Sequence, residues 1–426
     1  MPLAALDSLQ VFAEGALLNS AALVLAVLGR LVAERIAIPI AAVLLVAAAA
    51  FSDVFSGVGD VVSFVDVQWI ASAALIVILF DGGLHIGRAK FRRSAAEITV
   101  LGVIGTFATA GLLTLAAHLV LGFSWMTAAL IGAALAPTDP AVTFSVLGDK
   151  EVKGRAGTIL EGESGFNDPV GIALMIGMVE MATAGGSFWL VIQEFVVEMG
   201  VGLGIGLLGG FGVVWAMRRL QLPDALIPVW ALGLVGLLFG LTGVLHGSGF
   251  LAVFIAGVLA GDLATRAWDA TEAFVRALAN LSELAVFVAL GLTVSLSAIT
   301  NSDLWWQGLV LAALLAFVAR PLVVAPLLFP AHLTWGERGF IAWSGLKGAV
   351  PILLASLAVV GGTADSDKIY GIVFVVVLFS VVVQGTGLPF VASALSVPME
   401  MTVNTPEVAM GASKSQEQTD PNRLPK

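Results

Sequence analysis

The sequence predicts an all-α polytopic membrane protein of about thirteen transmembrane helices, and three observations carry that prediction. The 426 residues are 59% hydrophobic and 12% charged, with a mean hydropathy of +1.01, whereas soluble chains carry roughly 25% charged residues. Apolar runs of about 20 residues, enough to span about 30 Å of hydrocarbon at 1.5 Å per residue, recur with short polar breaks along the chain. Carboxylates nevertheless lie inside some of these runs, where each ionised one costs roughly 2.5–3.5 kcal/mol. Such residues mark function by default. Cysteine is absent, which excludes disulfides, thiolate metal sites and thiol catalysis. The net charge of −10 argues against a nucleic-acid partner; the partner that composition implies is the lipid bilayer. The first residues, MPLAALDSLQVFAEG, carry no Lys or Arg and no clear cleavage site, so the first span is expected to stay rather than leave as a signal peptide.

In order, the spans fall near residues 14–33, 36–52, 67–87, 96–121, 125–147, 156–183, 187–216, 224–243, 246–265, 277–298, 305–329, 338–360 and 370–396. Charge checks the count. Of the twenty Lys and Arg, Arg320 and Lys347 fall within spans and Lys368 in an even-numbered loop, leaving seventeen for the odd-numbered loops and the C-terminus. By the positive-inside rule the N-terminus lies outside and the C-terminus in the cytoplasm of a cell (inner) membrane. Residues 398–426 are polar, Pro-containing and free of aromatics, and are expected to form a disordered cytoplasmic tail.

Residues 1–397 thus form one transmembrane domain. Thirteen spans with one central linker divide into two six-helix units, one over about 14–183 and one over about 224–396. The span at about 187–216 intervenes, so the units are inverted relative to each other. Interruptions in matching places support the repeat. Span 5 is broken at Ala136-Pro137-Thr138-Asp139-Pro140, and span 12, its counterpart, at Gly345-Leu346-Lys347-Gly348-Ala349-Val350-Pro351. Paired Gly/Pro breaks point to a transporter site near the midplane, where the two broken helices cross. The prolines are expected to free the carbonyls of Ala133, Ala136 and Lys347. The breaks place Asp139 among helix N-terminal amides and Lys347 among carbonyl ends.

On a helical span 6, Glu163 and Asn167 are four apart, as are Ser164 and Asp168, so the four form two stacked pairs on one side. Pro169 frees the carbonyl of Gly165. A carboxylate, a hydroxyl, an amide and a carbonyl facing Thr138-Asp139 make an all-oxygen site for a hard monovalent cation, with no histidine or cysteine for a transition metal. No cofactor is called for. Weaker candidates are Glu161 as a charge at the cytoplasmic mouth and Asp81 as a cap or packing residue at the end of span 3. Asp262 and Glu283 have no partner legible in the sequence. Glu180, Glu194 and Glu198 read as a solvated outer rim, and Gly57-Val58-Gly59-Asp60 only mimics an intramembrane protease motif. Gly202, Gly204 and Gly206 read as close helix packing rather than a nucleotide loop.

Thr138-Asp139-Pro140 followed by Gly162-Glu163-Ser164-Gly165-Phe166-Asn167-Asp168 resembles the signature of the monovalent cation:proton antiporter-1 family. Leu79-Phe80-Asp81-Gly82-Gly83, Ala319-Arg320-Pro321 and Gly345-Leu346-Lys347-Gly348-Ala349 extend the resemblance through nearly the whole chain. The resemblance implies a homodimer with a dimerisation domain, a core domain that moves as an elevator, and a role in pH homeostasis. It implies that Asp168 binds cation or proton in turn, with Asp139, Ser164 and the Thr138 backbone helping coordination. Asn167-Asp168, where electrogenic relatives carry two aspartates, implies electroneutral one-for-one exchange. Glu163 would pair with Arg320. Lys347 stands where the family usually has arginine.

The exchange logic also stands on physical grounds. A single carboxylate cannot hold cation and proton together, because protonation abolishes its cation affinity. The reading is a secondary antiporter exchanging sodium, potassium or lithium for protons, and not an enzyme: no nucleophile–base pair or metal set is legible. The alternative is a cation channel or leak pathway, which would more often present rings of repeated carbonyls or acids.

Overall fold

The computed structural model describes residue 24 and residues 39–55, 63–147, 150–152, 154–220, 222–263 and 266–401. The first expected span, the Gly57–Asp60 stretch and residues 402–426 of the expected tail lie outside the described residues. The other spans are each occupied by helix.

Helix α1 (Ile40–Val54) is followed by α2 (Phe64–Thr99), which opens on a Ser63–Asp66 capping box and bends at Gly87. A π-helical turn (Val100–Gly105) leads into α3 (Thr106–Leu121), and the broken pair α4 (Trp125–Leu135) and α5 (Pro140–Leu147) follows. Next come α6 (Arg155–Thr183), α7 (Phe188–Arg219), α8 (Ile227–Val244), α9 (Gly249–Ala260), α10 (Arg266–Leu292) and the short α11 (Leu296–Thr300). Helix α12 (Leu304–Leu314) runs through a second π-turn (Leu315–Ala319) into α13 (Arg320–Leu327). The second broken pair is α14 (Trp335–Trp343) and α15 (Ala349–Val360), and α16 (Ser366–Phe379) passes through a third π-turn (Ser380–Gly385) into α17 (Thr386–Ala394).

Among the described residues, six helical stretches are long and apolar enough to cross a membrane. The halves α4 and α15 are only 11 and 12 residues long, so at 1.5 Å per residue each reaches little more than halfway. Two kinds of irregularity are paired across the repeat: π-turns interrupt spans 4 and 11, and loops interrupt spans 5 and 12, while the π-turn of span 13 has no counterpart in span 6. Loop contacts obey the same count. Odd loops meet odd ones, as Arg155 does Glu97 at 2.6 Å and Asp262 the Ala89 amide at 3.0 Å. Even meet even, as Asp53 does the Ser297 amide at 2.7 Å and Asp365 the Thr127 hydroxyl at 3.1 Å.

Three sequence expectations change. Met399–Met401, placed in the tail, form strand β2, paired antiparallel with β1 (Lys150–Val152) in the loop between spans 5 and 6. Asp262 does have a partner: it takes the Ala89 amide just past the bend, and Gly87 sits there with φ +66°, where a Cβ would lie 2.6 Å from the Asp262 carboxylate. Asp81 lies within α2 rather than at its end, so it is not a cap, and its Oδ1 is buried without a hydrogen-bond partner among the described residues.

Gly202 and Gly206 set the close packing as expected, whereas at Gly204 a Cβ would meet nothing within 4 Å, so that residue is corrected to one with no packing role. A Cβ on Gly202 or Gly206 of α7 would come within 2.7–2.8 Å of α9 backbone or its Ser248 cap. Gly83 and Gly257 do the same between α2 and α9, each 2.5 Å from the other helix's carbonyls. Helix α9 is accordingly buried on nearly all sides, the setting in which an all-apolar 12-residue helix is stable.

Candidate functional site

The site is built where the two helix breaks cross. Helix α4 stops because Pro137 and Pro140 remove donors the next turn would need, and Pro140 then serves as the first residue of α5, where a missing N–H costs nothing. Asp139 is left at the start of α5. The second break, Ser344–Gly348, is glycine-rich, and Pro351 falls in the first turn of α15. There its ring starts the helix rather than breaking it, so the sequence expectation that it frees the Lys347 carbonyl is corrected.

The two breaks hydrogen-bond to each other. The Asp139 amide donates to the Leu346 carbonyl at 2.8 Å, and the Thr143 hydroxyl to the Ser344 carbonyl at 3.3 Å. Lys347, fully buried, donates its Nζ to the carbonyls of Ala136 (2.9 Å) and Pro137 (2.7 Å). A cation thus neutralises the carbonyl end of α4, where the helix dipole concentrates negative charge. The glycines of Gly345-Leu346-Lys347-Gly348 are required by approach. A Cβ on Gly345 would collide with the Arg320 guanidinium, and one on Gly348 with the Asp139 carboxylate.

Span 6 supplies the facing wall. Asn167 brackets Thr138, its Nδ2 donating to Thr138 Oγ1 at 2.8 Å and its Oδ1 accepting the Thr138 amide at 3.3 Å. Ser164 donates its hydroxyl to the Thr138 carbonyl. Gly171 of α6 lets Pro137 pack within contact of its backbone. Asp168 is 5% exposed, its Oδ1 buried without a hydrogen-bond partner among the described residues. Asp139 and Lys347 lie within electrostatic reach of it.

Glu163 faces elsewhere. It makes a two-pronged ion pair with Arg320, Nη1 to Oε1 at 2.6 Å and Nη2 to Oε2 at 3.2 Å, with both side chains almost fully buried. The structure therefore brings Thr138, Asp139, Ser164, Asn167, Asp168 and Lys347 together and sets Glu163 and Arg320 beside them as a pair. The expectation of a four-residue wall facing the break is corrected to three residues, because Glu163 turns toward span 11. Glu161 lies 3.5 Å from His85 Nε2 of α2. Sequence reasoning missed Ser380, which accepts the Lys347 amide at 2.9 Å, and Gln384, which accepts the Ser380 hydroxyl at 2.8 Å. Their one sequence signal is polarity inside a valine-rich run.

The family model described as "Sodium/hydrogen exchanger, transmembrane" matches residues 22–394. The chain belongs to this family. Among relatives of this chain, the K(+)/H(+) antiporter NhaP of Alkalimonas amylolytica is 35% identical over 336 residues, 78% of this chain and 58% of that protein. The Low-affinity Na(+)/H(+) antiporter NhaS1 of Synechocystis sp. is 28% identical over 374 residues, 79% of this chain and 68% of that protein. The chain thus spans under two thirds of the length of the NhaP relative. The fold resembles the sodium proton antiporter MjNhaP1 of Methanocaldococcus jannaschii, with a TM-score of 0.75 at 24% identity over 91% of this chain and 99% of that one.

Proposed function

We propose that the chain is a secondary antiporter exchanging a monovalent cation (sodium, potassium or lithium) for a proton, the two competing for the Asp168 carboxylate. The observation that carries the reading is Asp168 itself, a buried carboxylate with an unpartnered oxygen at the crossing of two helix breaks. Ionised, it offers a hard anionic ligand; protonated, it offers none. Asp139, the Ser164 hydroxyl and the Thr138 carbonyl are the further oxygens within the cluster. Asn167 holds Thr138 in place, and an amide there leaves Asp168 as the one titratable member of the Asn167-Asp168 pair, to which one-for-one electroneutral exchange is the matching stoichiometry. Glu163, Arg320 and Lys347 balance charge around the site. The names of the NhaP and NhaS1 relatives support the same class.

In this reading the broken spans belong to a core that carries Asp168 across the bilayer as an elevator against a dimerisation domain, in a homodimer of the cell membrane serving pH homeostasis. The transmembrane domain covers residues 1–397, with the N-terminus outside and the C-terminus cytoplasmic.

The test is a proteoliposome with a trapped pH dye and an imposed proton gradient, to which lithium, sodium, potassium or choline is added with and without valinomycin. At least one of the three alkali cations should collapse the gradient, choline should not, and the clamp should leave the rate unchanged. Flux that follows voltage alone would instead favour a channel.

A further inference from the structure

Between Gly371 and Gly385 the last membrane helix carries two polar side chains, Ser380 and Gln384, in an otherwise apolar run. Both are almost fully buried, and both sit in the π-turn Ser380–Gly385. Their hydrogen bonds run in one direction. The Lys347 amide donates to Ser380 Oγ at 2.9 Å, and Ser380 donates to Gln384 Oε1 at 2.8 Å. Gln384 Nε2 donates to the Trp343 carbonyl at 3.5 Å, and Trp343 Nε1 donates to the Gln384 carbonyl at 3.2 Å. The polarity is self-consistent. The Trp343 carbonyl can only accept, so the Gln384 amide must turn Nε2 toward it, which leaves Oε1 to take the single Ser380 hydroxyl proton. Trp343 is the last residue of α14 and Lys347 lies in the break that follows, so one turn of the last helix grips both sides of the break.

We propose that Ser380 and Gln384 are positioning residues for the cation site. They hold the Lys347 amide, which lies in the break just before the Gly348 N-cap of α15 and so has no place in a helix ladder. That grip fixes where the Lys347 ammonium meets the Ala136 and Pro137 carbonyls beside Asp139. Neither side chain is placed against Asp168, so their influence passes through Lys347. The transport half of this inference rests on the exchange reading above; the grip on the break does not.

Two measurements on the full-length chain test it. Deuterium uptake by mass spectrometry over residues 344–350 reads the grip directly. Ser380→Ala should speed exchange at the Lys347 amide by about tenfold or more, while Ser380→Thr, which keeps the hydroxyl, should stay slow. In proteoliposomes, Ser380→Ala should raise the cation KM roughly three- to tenfold and shift the pH profile, with kcat held within about twofold and Thr restoring both. If Ser380→Ala fails to fold, Gln384→Leu carries the same two readouts. Wild-type protection together with wild-type KM and pH profile in the folded variant overturns the proposal, as does a loss of kcat alone. A wild-type chain that moves no cation overturns the exchange reading, while deuterium uptake still decides the grip.

Discussion

Asp168 and Lys347 are ionisable side chains buried where water cannot reach them easily, and each is tolerated for a different reason. Lys347 satisfies its ammonium on two carbonyls at the end of α4. Asp168 keeps one oxygen unsatisfied, a cost that folding alone would not retain. Asp168→Asn should therefore abolish cation-dependent proton flux while leaving the folded yield unchanged, and vesicles that still exchange would refute its role. Asp139→Asn should raise the cation KM more than it lowers turnover at saturating salt; an unchanged KM would count against coordination. Glu163 belongs to a structural pair instead. Glu163→Gln strands a buried guanidinium, a loss of about 3–5 kcal/mol, and should lower the apparent melting temperature in detergent. A wild-type melting curve would show that the pair carries no stability. The residues legible in the sequence were those with charge: Asp139, Asp168, Glu163, Arg320 and Lys347 stand out against hydrocarbon. Ser380 and Gln384 were not legible, because their partner is a backbone amide, and no residue type or spacing records a main-chain bond made 33 residues away.

At the scale of elements, the breaks work because α4 and α15 are each too short to cross the bilayer, so their ends must meet inside it. The exposed carbonyls and amides there are satisfied by the opposite break and by Lys347. Prolines and glycines revealed the breaks in the sequence, since each removes a donor or a side chain. The role of Pro351 was misread for a physical reason: a proline marks either the interior of a helix that fails or the first turn of one that starts, and only the position of the preceding loop separates the two. The π-turns in spans 4, 11 and 13 left no such signature, because ordinary residues form them. Gly348 offers an element-scale test. Its missing side chain is occupied by the Asp139 carboxylate, so Gly348→Ala should displace Asp139, raising the cation KM or abolishing exchange, while the protein still folds. Wild-type transport by Gly348→Ala would show that the two breaks are not packed this tightly.

Over the described residues, helices at twelve of the thirteen expected spans, irregularities shared by spans 4 and 11 and by spans 5 and 12, and loop contacts that join odd with odd and even with even describe one inverted-repeat architecture. Periodicity and charge asymmetry made that architecture legible, because a bilayer imposes one length on every helix. The short β1–β2 ribbon escaped notice because three-residue strands carry no periodic pattern. The central claim is competition between cation and proton for one carboxylate. The direct measurement is the apparent KM for the transported cation across a range of pH in proteoliposomes under a voltage clamp. Protons occupy the site as pH falls, so KM should rise by about tenfold for each pH unit below the carboxyl's pKa and level off above it. The maximal rate should stay nearly constant at saturating cation. A KM independent of pH, with only the maximal rate falling in acid, would contradict competition at a single site and place the proton on another group.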